Sequence, residues 1–148
     1  MSEHLANVTW KRATGDFVYE TYDRSHTIRF PGGQTVTGSD AADFMGKKEL
    51  ANPEEMLAAA LSSCHMLTFL ALAAKSRLVV DRYEDSAVAT LSKNIKGALC
   101  VTRIELRPKT VFSGQVPPPE KVKELHEKAH KHCFIANSLA CEMVVNPG

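Results

Sequence analysis

The stretch "NPEEMLAAALSSCHMLTFLALAAK", residues 52–75, decides the fold of this chain. Its start carries three marks of a helix N-terminus. Asn52 suits the cap, Pro53 suits the first helical position, and Glu55 can close a capping box. The pattern predicts a helix from Pro53 to about Ser76. A membrane span needs about 18 to 25 consecutive apolar residues, and here Ser62, Ser63, His65 and Thr68 interrupt the run. Met56, Leu57, Leu61, Met66, Leu67, Phe69, Leu70 and Leu72 surround the middle of the helix, the pattern of an element wrapped on most sides by protein. In a chain of 148 residues, that much wrapping points to a second subunit.

On either side of this helix the chain reads as strands. "HTIRF" and "QTVTG", joined by "PGG", predict a hairpin in which glycine supplies the positive φ of the turn. "FVYETY" reads as a β-rich run before it. Beyond the helix, "SAVATLS" and "LCVTRIELRPKTVF" carry β-branched residues with partial alternation, which would place Cys100, Thr102, Ile104 and Leu106 on one face and make Cys100 a core residue. "SGQVPPPEK" is a loop whose last prolines open a helix through "KVKELHEKAHKHC", and "CEMVVN" is a terminal strand. No internal repeat, low-complexity tract or long linker divides the chain, so residues 1–148 read as one α+β domain.

A hydrophobic content of 44% is enough for a core. The formal net charge of +1 comes from 18 basic and 17 acidic residues that are interspersed, so no field favours nucleic acid or an anionic membrane. "MSEHLANVTWKR" lacks the basic segment and apolar core of a signal peptide, and a reducing, cytoplasmic location is expected. There the four cysteines, Cys64, Cys100, Cys133 and Cys141, do not form a structural disulfide framework. Each is a buried hydrophobe, a ligand or a reactive thiol.

At 100° per residue, Val122, Leu125, Ala129 and Cys133 fall on one narrow face of the second helix, with His126 close to it. Cys133 is therefore expected to point inward. "HEKAH", His126 to His130, has the spacing at which two histidines one turn apart bind zinc. A metal set of His126, His130 and Cys133 is one alternative for this helix, although a cysteine is an odd third ligand for a metallopeptidase.

Two segments, "NPEEMLAAALSSCHMLTFLALAAK" and "AHKHCFIANSL", resemble in this order the two cysteine segments of the OsmC/Ohr family, the osmotically inducible and organic hydroperoxide resistance proteins. The order of hairpin, helix, strands, helix and strand agrees with that family over nearly the whole chain. The resemblance implies an OsmC-like α+β fold with an N-terminal antiparallel sheet, a long buried central helix, further strands and a second helix, built as an intertwined homodimer. It also implies that Cys64 is the peroxidatic thiol and Cys133 the resolving thiol, and that Glu54 is the helix-start glutamate. The arginine that precedes the hairpin glycine falls on Arg24 in "YDRSHTIRFPGG", with Arg12 and Arg29 as nearby alternatives. Phe134 stands after the second cysteine, where the family often has proline.

The chemistry explains these residue types. The thiolate is the nucleophile, and apolar burial raises the thiol pKa. Cys64 lies mid-helix, beyond the reach of the helix dipole. It therefore needs a cation such as Arg24, which a carboxylate such as Glu54 would hold in place. Ten helical residues separate Glu54 from Cys64 by about 15 Å, so Arg24 would have to bridge them or the helix start would have to bend back. The implied cycle is that of a thiol peroxidase. Cys64 takes one oxygen from an alkyl or fatty-acid hydroperoxide, Cys133 condenses with the sulfenic acid, and a dithiol, by resemblance a lipoylated protein, reduces the disulfide. Met56, Leu57, Leu61, Met66, Leu67 and Phe69 would line the alkyl site. No bound organic cofactor or metal is needed. Cys141 is a possible stand-in resolver, and His65 a core or interface histidine. An expectation of another class is a non-enzymatic dimer that binds an apolar small molecule beside Cys64.

Overall fold

The central helix, α1, spans Pro53–Lys75 in a computed structural model that describes residues 1–148. The capping box forms as expected. The Glu55 N–H donates to Asn52 Oδ1 at 2.9 Å, and the Asn52 N–H donates to Glu55 Oε2 at 3.1 Å. Glu54 and Glu55 in the first turn and Lys75 in the last complement the helix dipole. At the far end Arg77 takes the left-handed conformation, φ 58°, and Leu78 N–H closes on the Ala73 carbonyl at 3.0 Å. Asn52→Ala is expected to cost about 1 kcal/mol and to lower the unfolding midpoint by roughly 2–4 °C, read by calorimetry at fixed protein concentration.

Within the chain, α1 is buried along one stripe only: Ala58, Leu61, His65, Phe69 and Ala73. These residues recur at three- or four-residue spacing and define a single face. Leu67, on another face, is 60% exposed. The expected wrapping on most sides is therefore not supplied by the chain itself. By length and composition α1 could cross a membrane, yet its stripe forms the core of a protein fold.

The chain divides into two units, Met1–Met56 and Leu57–Gly148. The first holds an antiparallel sheet of β1 (Asn7–Thr9), β2 (His26–Arg29) and β3 (Thr35–Gly38). Ile28 of β2 pairs with Val8 on one side and Val36 on the other. The hairpin turn closes through Gly33, φ 87°, whose N–H donates to the Phe30 carbonyl at 2.9 Å. "FVYETY" is not a strand, which corrects the sequence reading. Tyr22 and Thr21 donate back to the Val18 carbonyl, and the segment turns.

The second unit contains β4 (Val79–Glu84), β5 (Val88–Lys93), β6 (Leu99–Leu106), β7 (Lys109–Ser113), α2 (Pro119–His132) and β8 (Glu142–Val145). One sheet pairs β4 with β7, and the other has the order β5-β6-β8 with β8 parallel to β6. β4 was not legible in the sequence, because a register shift between Val80 and Arg82 breaks its alternation. A second shift also corrects the face expected for β6. Thr90 pairs with Arg103 but Leu91 pairs with Val101, so Thr102 is the extra residue. Val101, not Cys100, then packs with Ile104 and Leu106.

Two cores form along α1. Ala58 and Leu61 pack with Ile104, Leu106, Cys133 and Ala136, whereas Phe69 and Ala73 pack with Leu125 and Ala129 of α2. The inward face expected for α2, from Leu125 through Ala129 to Cys133, is observed.

Candidate active site

Cys64 lies halfway along α1, and Cys133 caps the C-terminus of α2. Cys64 packs against the core cluster that contains Cys133, the two side chains act on each other, and both thiols are free. Their environments differ. Burial pushes the Cys64 thiol up, but hydrogen bonds from Cys133 and from the backbone N–H groups of Ile135 and Phe134 more than offset this and hold it below the ordinary thiol value. The Thr68 hydroxyl also adjoins Cys64, and its one proton goes to the Cys64 carbonyl at 2.8 Å. Cys133 is completely buried. Burial first, and then the hydrogen bond and charge of Cys64, push its thiol up to about 11. Ala136 N–H donates to Cys133 Sγ at 3.4 Å. When two coupled titratable groups are pushed apart in this way, one becomes the anion and the other the proton donor.

The turn after α2 thus contributes donors that the sequence reading did not anticipate. Phe134 is 82% exposed, so its side chain adds little packing, while its N–H serves Cys64. A proline here would have no such donor. Cys133, at ψ 117°, already has the extended backbone that a following proline requires. Phe134→Pro is therefore expected to raise the Cys64 pKa, by loss of the Phe134 N–H, and leave the fold intact, as read from the pH dependence of alkylation by iodoacetamide.

The other expected residues are distributed as follows. Arg24 belongs to the N-terminal unit, is 8% exposed, and donates through Nη1 to the Tyr22 carbonyl at 3.0 Å and through Nη2 to the Tyr19 carbonyl at 2.7 Å. Its guanidinium lies 4.0 Å from the centre of the Tyr22 ring. Glu54 does not hold it: Glu54 Oε2 is buried without a hydrogen-bond partner. α1 is unbroken from Pro53, so the helix start does not bend back toward Cys64. Arg24, Trp10, Phe17, Tyr19, Tyr22 and His26 line a cavity of about 900 Å³ in the N-terminal unit, large enough for a small organic molecule. Leu61 and Phe69, expected to line an alkyl site, are instead fully buried in the two cores and offer no surface. Met56, Leu57 and Met66 are half-buried, and Leu67 is exposed.

The metal alternative is not assembled. No three His, Cys, Asp or Glu side chains converge as a ligand set, and His126 Nδ1 lies 3.0 Å from His65 Nε2. Cys141 packs beside the core that contains Cys133, but it is Cys133 whose side chain acts on Cys64.

Residues 46–147 match the family of OsmC-like proteins. Over the full length of both chains, the protein is similar to an OsmC-like protein of unknown function from Vibrio cholerae, at 44% identity with a TM-score of 0.95. It shares its fold with an organic hydroperoxide resistance protein from Elizabethkingia anophelis, at 18% identity and a TM-score of 0.72 over 100% of this chain and 98% of that one. The organic hydroperoxide resistance protein OhrB of Bacillus subtilis is similar at 19% identity and a TM-score of 0.69, over 97% of this chain and 98% of that one. No curated protein matches the chain.

Proposed function

Because the chain belongs to the OsmC-like family, we propose that it is a cysteine-based thiol peroxidase that reduces organic hydroperoxides, alkyl or fatty-acid, to alcohols in the cytoplasm. The observation that carries this reading is the contrast between two thiols in contact, with Cys64 held down and Cys133 pushed up to about 11. A packing cysteine has no use for donors aimed at its sulfur, whereas a nucleophile does.

In the proposed cycle the Cys64 thiolate attacks the distal oxygen of the hydroperoxide. The O–O bond breaks, the alkoxide leaves and takes a proton as the alcohol, and Cys64 keeps the other oxygen as sulfenic acid. The charge that raised the Cys133 pKa is then gone. Cys133 attacks the Cys64 sulfur, water leaves, and a disulfide remains. Two hydrogens from a dithiol, such as a lipoyl group on a protein, restore both thiols. Arg24 is assigned the permanent cation of the reaction, and Glu54, which is unpaired within the chain, the carboxylate it would pair with when the site is complete. Met56, Leu57, Met66 and Leu67 are assigned to the alkyl group.

The working unit is proposed to be a homodimer. In the N-terminal unit no hydrophobic side chain is fully buried, and Leu5, Val8, Phe17 and Tyr19 are more than 60% exposed. Apolar surface of this extent is normally covered by a partner.

The test is one equivalent of an alkyl hydroperoxide added to the reduced protein, followed by intact mass and peptide mapping. Loss of two hydrogens with the Cys64 and Cys133 peptides linked is expected. If both thiols stay free while a small reactive thiol consumes the peroxide alongside, the reading fails. The aromatic cavity around Arg24 favours a second reading, a non-enzymatic dimer that binds an apolar small molecule. That reading predicts ligand-induced stabilisation without turnover and no effect of Cys133→Ser.

A further inference from the structure

We infer that the hydrogen bond between His65 and His126 holds α2 where Cys133 faces Cys64, which makes His126 a positioning residue for the resolving step. The inference rests on the peroxidase reading above. His65 follows Cys64 on α1, and His126 lies two turns before Cys133 on the same inward face of α2. His65 Nε2 and His126 Nδ1 are 3.0 Å apart, and the two rings are coplanar within 2°. Both are buried, at 0% and 3% exposure. The two helices are thus tied at adjacent places, once by sulfur and once by imidazole.

The rest of the α1–α2 contact is non-directional. Phe69 and Ala73 pack on Leu125 and Ala129, and dispersion contact between apolar side chains has no preferred donor–acceptor direction. The imidazole bond is directional. The outer nitrogens, His65 Nδ1 and His126 Nε2, are buried without partners. A slide of α2 would leave four unpaired imidazole nitrogens in the core where there are now two, and unpaired buried polar groups are costly. The bond also needs one proton between the facing nitrogens, since two would repel. The groups around the pair are Tyr83 and Asp85 at the end of β4, Thr110 on β7, and Lys123, Glu127 and His130 on α2. Phe69 stacks on His126 at 4.3 Å between ring centres and contributes no proton.

The resolving step depends on this placement. Cys64 sulfenic acid and the Cys133 thiol form an S–S bond and release water. If Cys133 is not held in reach, a second peroxide oxidises Cys64 to sulfinic acid instead.

The test separates the two chemical steps at pH values between about 5 and 8, with one equivalent of alkyl hydroperoxide and mass detection of sulfenic acid and disulfide. His126→Phe keeps the aromatic stack and removes the bond. His126→Asn places an amide oxygen near the former Nδ1 and cannot titrate. Expected for His126→Phe is disulfide formation about tenfold slower, with sulfenic acid formation unchanged and sulfinic acid appearing under excess peroxide. Expected for His126→Asn is a near-normal disulfide rate across this range, in which the wild-type pair also stays neutral, because the amide oxygen replaces the lost acceptor. His65→Phe removes the same bond from α1, and is decisive if His126→Phe does not fold by circular dichroism. Disulfide formation at the wild-type rate in His126→Phe, or in His65→Phe where His126→Phe does not fold, overturns the inference. Oxidation by diamide, an azodicarboxamide that takes up the two thiol hydrogens, distinguishes the two proposals. If peroxide does not react but the diamide-driven disulfide still slows in His126→Phe, the peroxidase reading falls and the positioning role stands. If the diamide-driven disulfide ignores His126→Phe, the positioning role falls.

Discussion

Cys64→Ser is expected to lower the rate of alkyl hydroperoxide consumption by at least about a thousandfold, because no other group in the chain replaces the nucleophile. A serine hydroxyl in the same place stays protonated, and the donors from Phe134, Ile135 and Cys133 stabilise an anion that does not form. Cys133→Ser has a different signature. The first equivalent of peroxide is consumed at close to the wild-type rate, the protein gains one oxygen atom, and turnover stops. Excess peroxide then adds a second oxygen at Cys64. Stopped-flow peroxide consumption together with intact mass distinguishes the two variants. Equal, wild-type consumption by Cys64→Ser removes the peroxidase reading altogether. The pH profile gives an independent check. Because Cys64 is held below the ordinary thiol value, the rate rises with pH and levels off at a lower pH than it would for a free thiol.

The parts of this arrangement that the sequence revealed are those set by neighbours along the chain. The helix start was legible because Asn52, Pro53 and Glu55 act within one turn. The inward face of α2 was legible because Leu125, Ala129 and Cys133 recur at helical spacing. What periodicity hides is long-range placement. His65 and His126 are 61 residues apart in sequence, and nothing local to either one signals the other. The donors to Cys64 were missed for a related reason, since backbone N–H groups carry no side-chain signature. Arg24 illustrates how a local pattern is overridden. The alternation in "FVYETY" suits a strand, but a strand would separate the Tyr19 and Tyr22 carbonyls that Arg24 needs together, and the turn that unites them prevails. The face of β6 failed because one bulge at Thr102 inverts every side chain on one side of it.

Acid is expected to unfold this protein through the same histidine pair. Burial pushes both His65 and His126 down from about 6.5 to about 4, and for His65 the neighbouring His126 and His130 add to the effect. The folded chain therefore leaves both rings unprotonated until about pH 4, whereas the unfolded chain takes up protons below about 6.5. Between these values the unfolded state binds more protons, so stability falls as pH falls. Each ring contributes up to about 3 kcal/mol over the window, and both together approach the 5–15 kcal/mol that holds an ordinary domain folded. Carboxylates do not produce the same curve. Asp23 and Glu105, held near 2 by hydrogen bonds from Ser25 and from Arg107, lose their contribution only as pH falls below the ordinary carboxylate range of about 4. Urea midpoints at fixed protein concentration should therefore be level above about pH 7 and decline from 6.5 to 5. His126→Asn should remove about half of that decline, since one titrating ring is gone and the other loses a neighbour that could become charged. A decline of equal size in this variant would place the proton uptake elsewhere. A wild-type midpoint that stays level down to pH 5 would mean the rings are not buried as a neutral pair, and the tie between α1 and α2 would then have to come from packing alone.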